Sequence, residues 1–154
     1  MKTIHAPLTT GQIRAVSSLS RKQVEQWLQA GVVVPSLTGT TSPGKGQRHR
    51  WTNADAVLLA LVADVYRATR MPVQHLRAVA QWLRSQLRNK PTGESRIVLR
   101  TTARGVSVQS ARAGDDAITL VLPLTALLDA IQHRLSDVIE AALPPTTGCQ
   151  SRCR

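Results

Sequence analysis

Phenylalanine is absent from the 154 residues, and three Trp and one Tyr are the only aromatics, so Leu, Val, Ile and Ala must fill any core. Long apolar runs are missing too. The longest, residues 56–63 and 118–122, are far too short to span a bilayer. The first residues hold no basic segment followed by an apolar stretch, so no signal peptide is expected. With only two cysteines there is no disulfide framework, and a reducing, cytoplasmic setting is the expectation. Catalytic constellations are equally scarce. There are no carboxylates paired in an apolar setting and no Ser–His–Asp set. Gly44-Lys45-Gly46 is too short for a phosphate-binding loop, which needs a preceding strand and a Lys-Ser/Thr at a helix start. The four histidines, His5, His49, His75 and His133, are scattered without ligand spacing, so neither a metal, a cofactor nor an enzyme is expected.

What is present is a globular composition, 42% hydrophobic, with a large and uneven positive charge. The net charge of +11 divides into +6 over residues 1–50, +4 over 51–90 and +1 over 91–154. The first 90 residues hold only three acids, Glu25, Asp55 and Asp64. Such an excess attracts polyanions, because each Lys or Arg that neutralises a phosphate releases a condensed counterion.

Hydrophobic spacing supplies the organisation. Thr9 or Thr10 caps a first helix with Ile13 and Val16 on one face and Arg14 in solvent. Ser17 and Ser18 break it, Leu19 plugs the turn, and Ser20 caps a second helix over Arg21 to Ala30 with Val24, Trp27 and Leu28 as its stripe. Gly31 suits the left-handed closing position. Val32-Val33-Val34 then reads as a short extended piece stopped by Pro35, residues 36–47 as a Gly/Ser/Thr/Pro loop, and Arg48-His49-Arg50-Trp51 as a basic return strand. Thr52 caps a third helix with Asp55 in its first turn, and Pro72 opens a fourth with the stripe Leu76, Val79, Ala80, Leu83 and Leu87. Trp27 and Trp51 read as core rather than base-stacking platforms. Trp82 fits either a core or a partner surface.

The order of these elements carries a resemblance. Leu8-Thr9-Thr10-Gly11-Gln12-Ile13, Ser20 through Trp27, Ala30-Gly31-Val32 with Pro35, Arg50-Trp51-Thr52-Asn53-Ala54-Asp55 and Arg70-Met71-Pro72-Val73-Gln74-His75-Leu76-Arg77 resemble the MerR family of winged helix-turn-helix regulators. The resemblance covers residues 8–88. It implies a major-groove helix at residues 20–30 and a wing at 36–50, with double-stranded DNA as partner. The residues it sets on DNA are Thr10, Ser20, Arg21, Lys22, Gln23 and Gln26, with Lys45, Arg48, His49 and Arg50 on the wing. Lys45 adds a phosphate contact at the tip. Gln pairs with adenine and Arg with guanine. One position departs: where the family has an Arg two residues before its aromatic, this chain has Glu25.

After residue 90 the pattern changes. Asn89-Lys90-Pro91-Thr92-Gly93-Glu94 reads as a linker. Three strands are expected at 96–100, 105–109 and 117–122, then a helix opened by Pro123 with Leu124, Leu127, Leu128, Ile131, Leu135, Val138 and Ile139 as its stripe. The expected fold is mainly α with small β elements: a winged helix-turn-helix domain (1–90), a strand–strand–strand–helix module serving dimerisation (91–143) and a disordered tail (144–154). Cys149 and Cys153 on that tail lack the further ligands a zinc site needs. A dimeric, nucleoid-associated bacterial regulator is the leading expectation, with an architectural or accessory DNA protein and an antitoxin-like protein gripping a second protein as alternatives.

Overall fold

The computed structural model describes residues 6–37, 49–89, 95–102, 105–110 and 119–143. Among these the chain is mainly helical, with five helices and one three-stranded sheet. The expected wing tip with Lys45 and Arg48, residues 90–94 of the linker, and the tail with Cys149 and Cys153 lie outside the described residues.

Local chemistry fixes each helix start. Helix α1 (Thr10–Ser17) begins at a capping box in which the Thr9 hydroxyl accepts the Gln12 N–H and Gln12 Oε1 accepts the Thr9 N–H. Thr9, rather than Thr10, is therefore the cap. Helix α2 (Arg21–Gln29) repeats the device with Ser20 and Gln23. Helix α3 (Asn53–Thr69) repeats it with Thr52 and Asp55. Proline starts the other two by a different route. Pro72 and Pro123 stand one residue before α4 (Val73–Arg88) and α5 (Leu124–Ala142), where their carbonyls accept the first helical bonds and no side-chain cap is made.

The turn between α1 and α2 contains three residues, Ser18, Leu19 and Ser20. Ser18 closes α1 in the left-handed region at φ 54°, Leu19 is buried, and Ser20 returns to extended backbone. At the far end of α2, Gly31 adopts φ +67°, a conformation that glycine takes without steric cost.

Among the described residues of the stretch expected as a hairpin between Val32 and Trp51, the pairing consists of isolated bridges. Leu37 pairs with Arg50, whereas Trp51 pairs with Leu8 through two backbone hydrogen bonds of 2.8 and 3.1 Å. The reason is local: Pro35 has no N–H, and the Ser36 N–H is held by Asp55 Oδ2 at 3.0 Å. Two successive residues are thus withdrawn from strand pairing.

One apolar cluster runs from Leu8 to Leu135 and crosses the boundary drawn from sequence at residue 90. Trp51 and Trp27 are 0% and 1% exposed within it, and Trp27 meets Tyr66 edge-on at 5.6 Å. Helix α5 packs against α3 and α1 and contributes Leu124, Ile131 and Leu135 to this cluster. Of the seven residues in the stripe assigned to an assembly module, these three are buried within the same chain and the other four are half-buried against the same cluster. Polar contacts fasten the packing. Asp64 on α3 pairs with Arg67 and, at 3.3 Å, with Arg134 of α5, and Arg67 donates to the Ser17 carbonyl at the end of α1 at 2.9 Å.

Strand β1 (Ser95–Thr102) lies between β2 (Gly105–Ser110) and β3 (Thr119–Leu122), antiparallel to both. The sheet meets α4 along β2. Among the described residues, no helix is long and apolar enough to cross a membrane.

Candidate nucleic-acid interface

The side chains of α2 divide cleanly. Val24 and Trp27 are buried and Leu28 is half-buried, which fixes the opposite face outward. At about 100° per residue, Arg21, Lys22, Glu25, Gln26 and Gln29 fall within an arc of about 140°. All five are exposed. The helix thus offers a polar face whose first turn carries two cations.

A cleft of about 580 Å³ runs beside this face, lined by the start of α1, by α2, and by His49 and Arg50. Arg14, Arg21 and Arg50 all reach it, with Glu25 as the acid among its lining residues. Arg14, exposed as the sequence reading had it, borders this cleft. Its signal was weak but present, since it follows Ile13, whose side chain fixes the core direction of α1. Arg50 is exposed, and His49 lies edge-on to the buried Trp51 ring at 6.5 Å. That contact places the imidazole at the rim of the core.

The residues expected to touch DNA separate into those left open and those already occupied. Lys22 and Gln26 are exposed, and Ser20, also exposed, uses its hydroxyl as the α2 cap. Gln23 is half-buried, and its Oε1 accepts the Ser20 N–H at 3.0 Å, so its acceptor is committed to the cap. Thr10 is half-buried beneath Trp51, whose Nε1–H donates to the Thr10 hydroxyl at 3.4 Å. Arg21 donates to Glu25 at 2.8 Å; this hydrogen bond, with the carboxylate's charge, raises the Arg21 pKa further. Lys45 and Arg48 lie outside the described residues.

Electrostatically, the acids of the basic half are nearly all used internally. Asp55 is 5% exposed and accepts from the Ser36 hydroxyl at 2.6 Å, the Ser36 N–H at 3.0 Å and the Thr52 N–H at 2.9 Å. Burial pushes its pKa up, but these hydrogen bonds outweigh that and leave it below the ordinary value. Asp64 is held by Arg67 and Arg134. Only Glu25 remains in solvent.

A second cleft, of about 470 Å³, lies between the 34–36 segment, the start of α3 and the end of α4, with Arg84 and Arg88 among its lining residues. Asp55, the acid in it, is already committed to Ser36 and Thr52. No group of three or more His, Cys, Asp or Glu lies together among the described residues. No protein-family model matches the chain, and no curated protein is significantly similar to it.

Proposed function

We propose that this chain is a sequence-specific double-stranded-DNA-binding protein of MerR-like winged helix-turn-helix type. It acts as a dimeric transcription regulator at the nucleoid, by binding rather than by catalysis. The observation that carries this reading is the exposed face of α2. The helix starts after a three-residue turn, is held down by Val24 and Trp27, and presents Arg21, Lys22 and Gln26 to solvent, with Arg21 lining the same cleft as Arg14 and Arg50. A helix so mounted enters the major groove with its first turns against base edges.

The parts then have distinct work. Lys22 and Gln26 reach base edges, Lys toward guanine O6/N7 and Gln toward adenine N6/N7. Arg14 and Arg50, both lining the cleft, meet backbone phosphates and fix register without reading sequence. A dimer places two such helices on the half-sites of a pseudo-palindrome.

The test is fluorescence-anisotropy binding of the full chain to duplex DNA across a salt series. Replacing Arg14 and Arg50 together by Ala lowers the log–log salt slope by about two, near one per lost phosphate contact. Absence of binding at low salt would overturn the proposal. Equal affinity for every sequence would replace regulation by architectural binding.

A further inference from the structure

Glu25 is the one acid of residues 1–90 without a task in the fold. Asp55 is buried under Ser36 and Thr52, and Asp64 links Arg67 to Arg134. Glu25 has a side chain 55% exposed and pairs with Arg21, itself 78% exposed, one turn away. An exposed pair of this kind contributes little to stability. Its cost to DNA binding is nevertheless real, because a carboxylate on a face that approaches phosphates is repelled by them.

Position makes that carboxylate unavoidable. Within the exposed arc of α2, Glu25 lies about 40° from Arg21 and about 60° from Lys22, between the two cations rather than at the edge. A helix inserted through that face carries Glu25 to the floor of the groove. There, ionised Glu has acceptors and no donor. It is satisfied by an exocyclic amino group, that of cytosine N4 above all, and it is left unpaired against guanine O6 or thymine O4, which are also acceptors. An unpaired, desolvated carboxylate discriminates strongly, because rejection of the wrong base adds to attraction for the right one.

We infer that Glu25 is a specificity-determining residue that selects cytosine at one position of each half-site. Arg21 neutralises the carboxylate on approach through its Nε–H, and its remaining guanidinium N–H groups can take the guanine of the same or the adjacent pair. This assignment rests on the proposed DNA-binding function and deepens it.

The experiment is selection of bound duplexes from a randomised library by the full-length chain. Four forms are compared: unaltered, Glu25→Gln, Glu25→Ala and Arg21→Ala/Glu25→Gln. The unaltered chain prefers cytosine at one position by at least about fivefold. Glu25→Gln moves that position to adenine, the base Gln pairs bidentately, and Glu25→Ala makes it indifferent. Both variants bind random DNA more tightly as a negative charge is removed. Cytosine kept in both variants would overturn the inference. So would adenine preference that disappears when Arg21 is also Ala, since Glu25 would then act only by orienting Arg21. An unaltered chain that binds duplexes without selecting any sequence would overturn this assignment and leave architectural binding, whereas one that retains no duplex at low salt would remove the DNA reading itself.

Discussion

Asp55 joins two segments that neither could hold alone, and its replacement has a calculable effect. Its carboxylate accepts the Ser36 hydroxyl, the Ser36 N–H and the Thr52 N–H, so it fastens the extended 32–37 segment to the start of α3. Asp55→Ala leaves the two backbone donors without their acceptor in a site where Asp55 is 5% exposed. Each lost donor costs about 1–3 kcal/mol, and the missing charge at the α3 N-terminus about 0.5 kcal/mol more. Discounted for partial solvent access, the sum is about 3 kcal/mol, or a Tm lower by about 10 °C. Asp55→Asn keeps one oxygen for both backbone donors and lets the Ser36 hydroxyl turn to accept, so its cost is about 1 kcal/mol.

The pH dependence separates the charge from the shape. Burial raises the Asp55 pKa, and hydrogen bonds from Ser36 and Thr52 lower it past the ordinary value. A folded-state pKa below the unfolded one adds stability above the unfolded value, about 3.9, that is lost as pH falls through the folded value. The gap between the unaltered chain and Asp55→Asn therefore narrows below about pH 4. Urea denaturation at pH 7 and pH 3, followed by circular dichroism, measures both quantities. A gap that stays constant or widens on acidification, or an Asp55→Ala cost under about 1 kcal/mol, would refute the reasoning.

Ile131→Ala, at a fully buried site on α5, is expected to cost about 2–4 kcal/mol and to shift the single unfolding transition reported by Trp27 and Trp51. Tryptophan fluorescence during urea denaturation checks this, and an unmoved transition would show that α5 does not share their core. Asp64→Ala frees both Arg67 and Arg134 and is expected to cost about 1–2 kcal/mol, less at high salt; denaturation at 0.05 and 1 M NaCl reads the difference. Ser18→Gly relieves a left-handed residue at φ 54° and is expected to stabilise by about 0.5 kcal/mol, measured as a raised denaturation midpoint. Gln23→Ala removes half of the α2 capping box at about 0.5–1 kcal/mol but leaves base preference unchanged in the library selection, whereas Gln26→Ala alters it.

Helix starts were legible because they are written in short-range chemistry. Ser20 with Gln23 and Thr52 with Asp55 sit three apart immediately before apolar stripes, which is all a capping box requires. The burial of Trp27 and Trp51 was legible for the same reason, since each sits against a periodic stripe or a helix cap. The coverage of α5 was not. A stripe of Leu124, Ile131 and Leu135 states that something must cover it without stating whose residues do so. The answer lies in long-range packing of α5 on α3 and α1, accompanied by the pairing of Asp64 with Arg134, 70 positions apart in sequence. The short extended piece Val32-Val33-Val34 forms no ladder among the described residues, where Asp55 takes the Ser36 N–H that would have continued the pairing.

The candidate interface shows the same division. Position along α2 gives the direction of Lys22 and Gln26 at once, because the buried Val24 and Trp27 set the phase. Direction does not give availability. Gln23 lies near the same turn and has the right functional group, yet its acceptor is held by the Ser20 N–H. A side chain serving as a cap at N3 cannot also present that oxygen to a base edge without giving up a backbone donor, and burial of that donor sets the cost. Arg14 reverses the case: unremarked by composition, it lines the cleft together with the start of α1 and with α2, which are joined by the left-handed Ser18 and the buried Leu19. Residue type and phase thus name the candidates on such a surface, and the caps and turns decide which of them are free to meet a ligand.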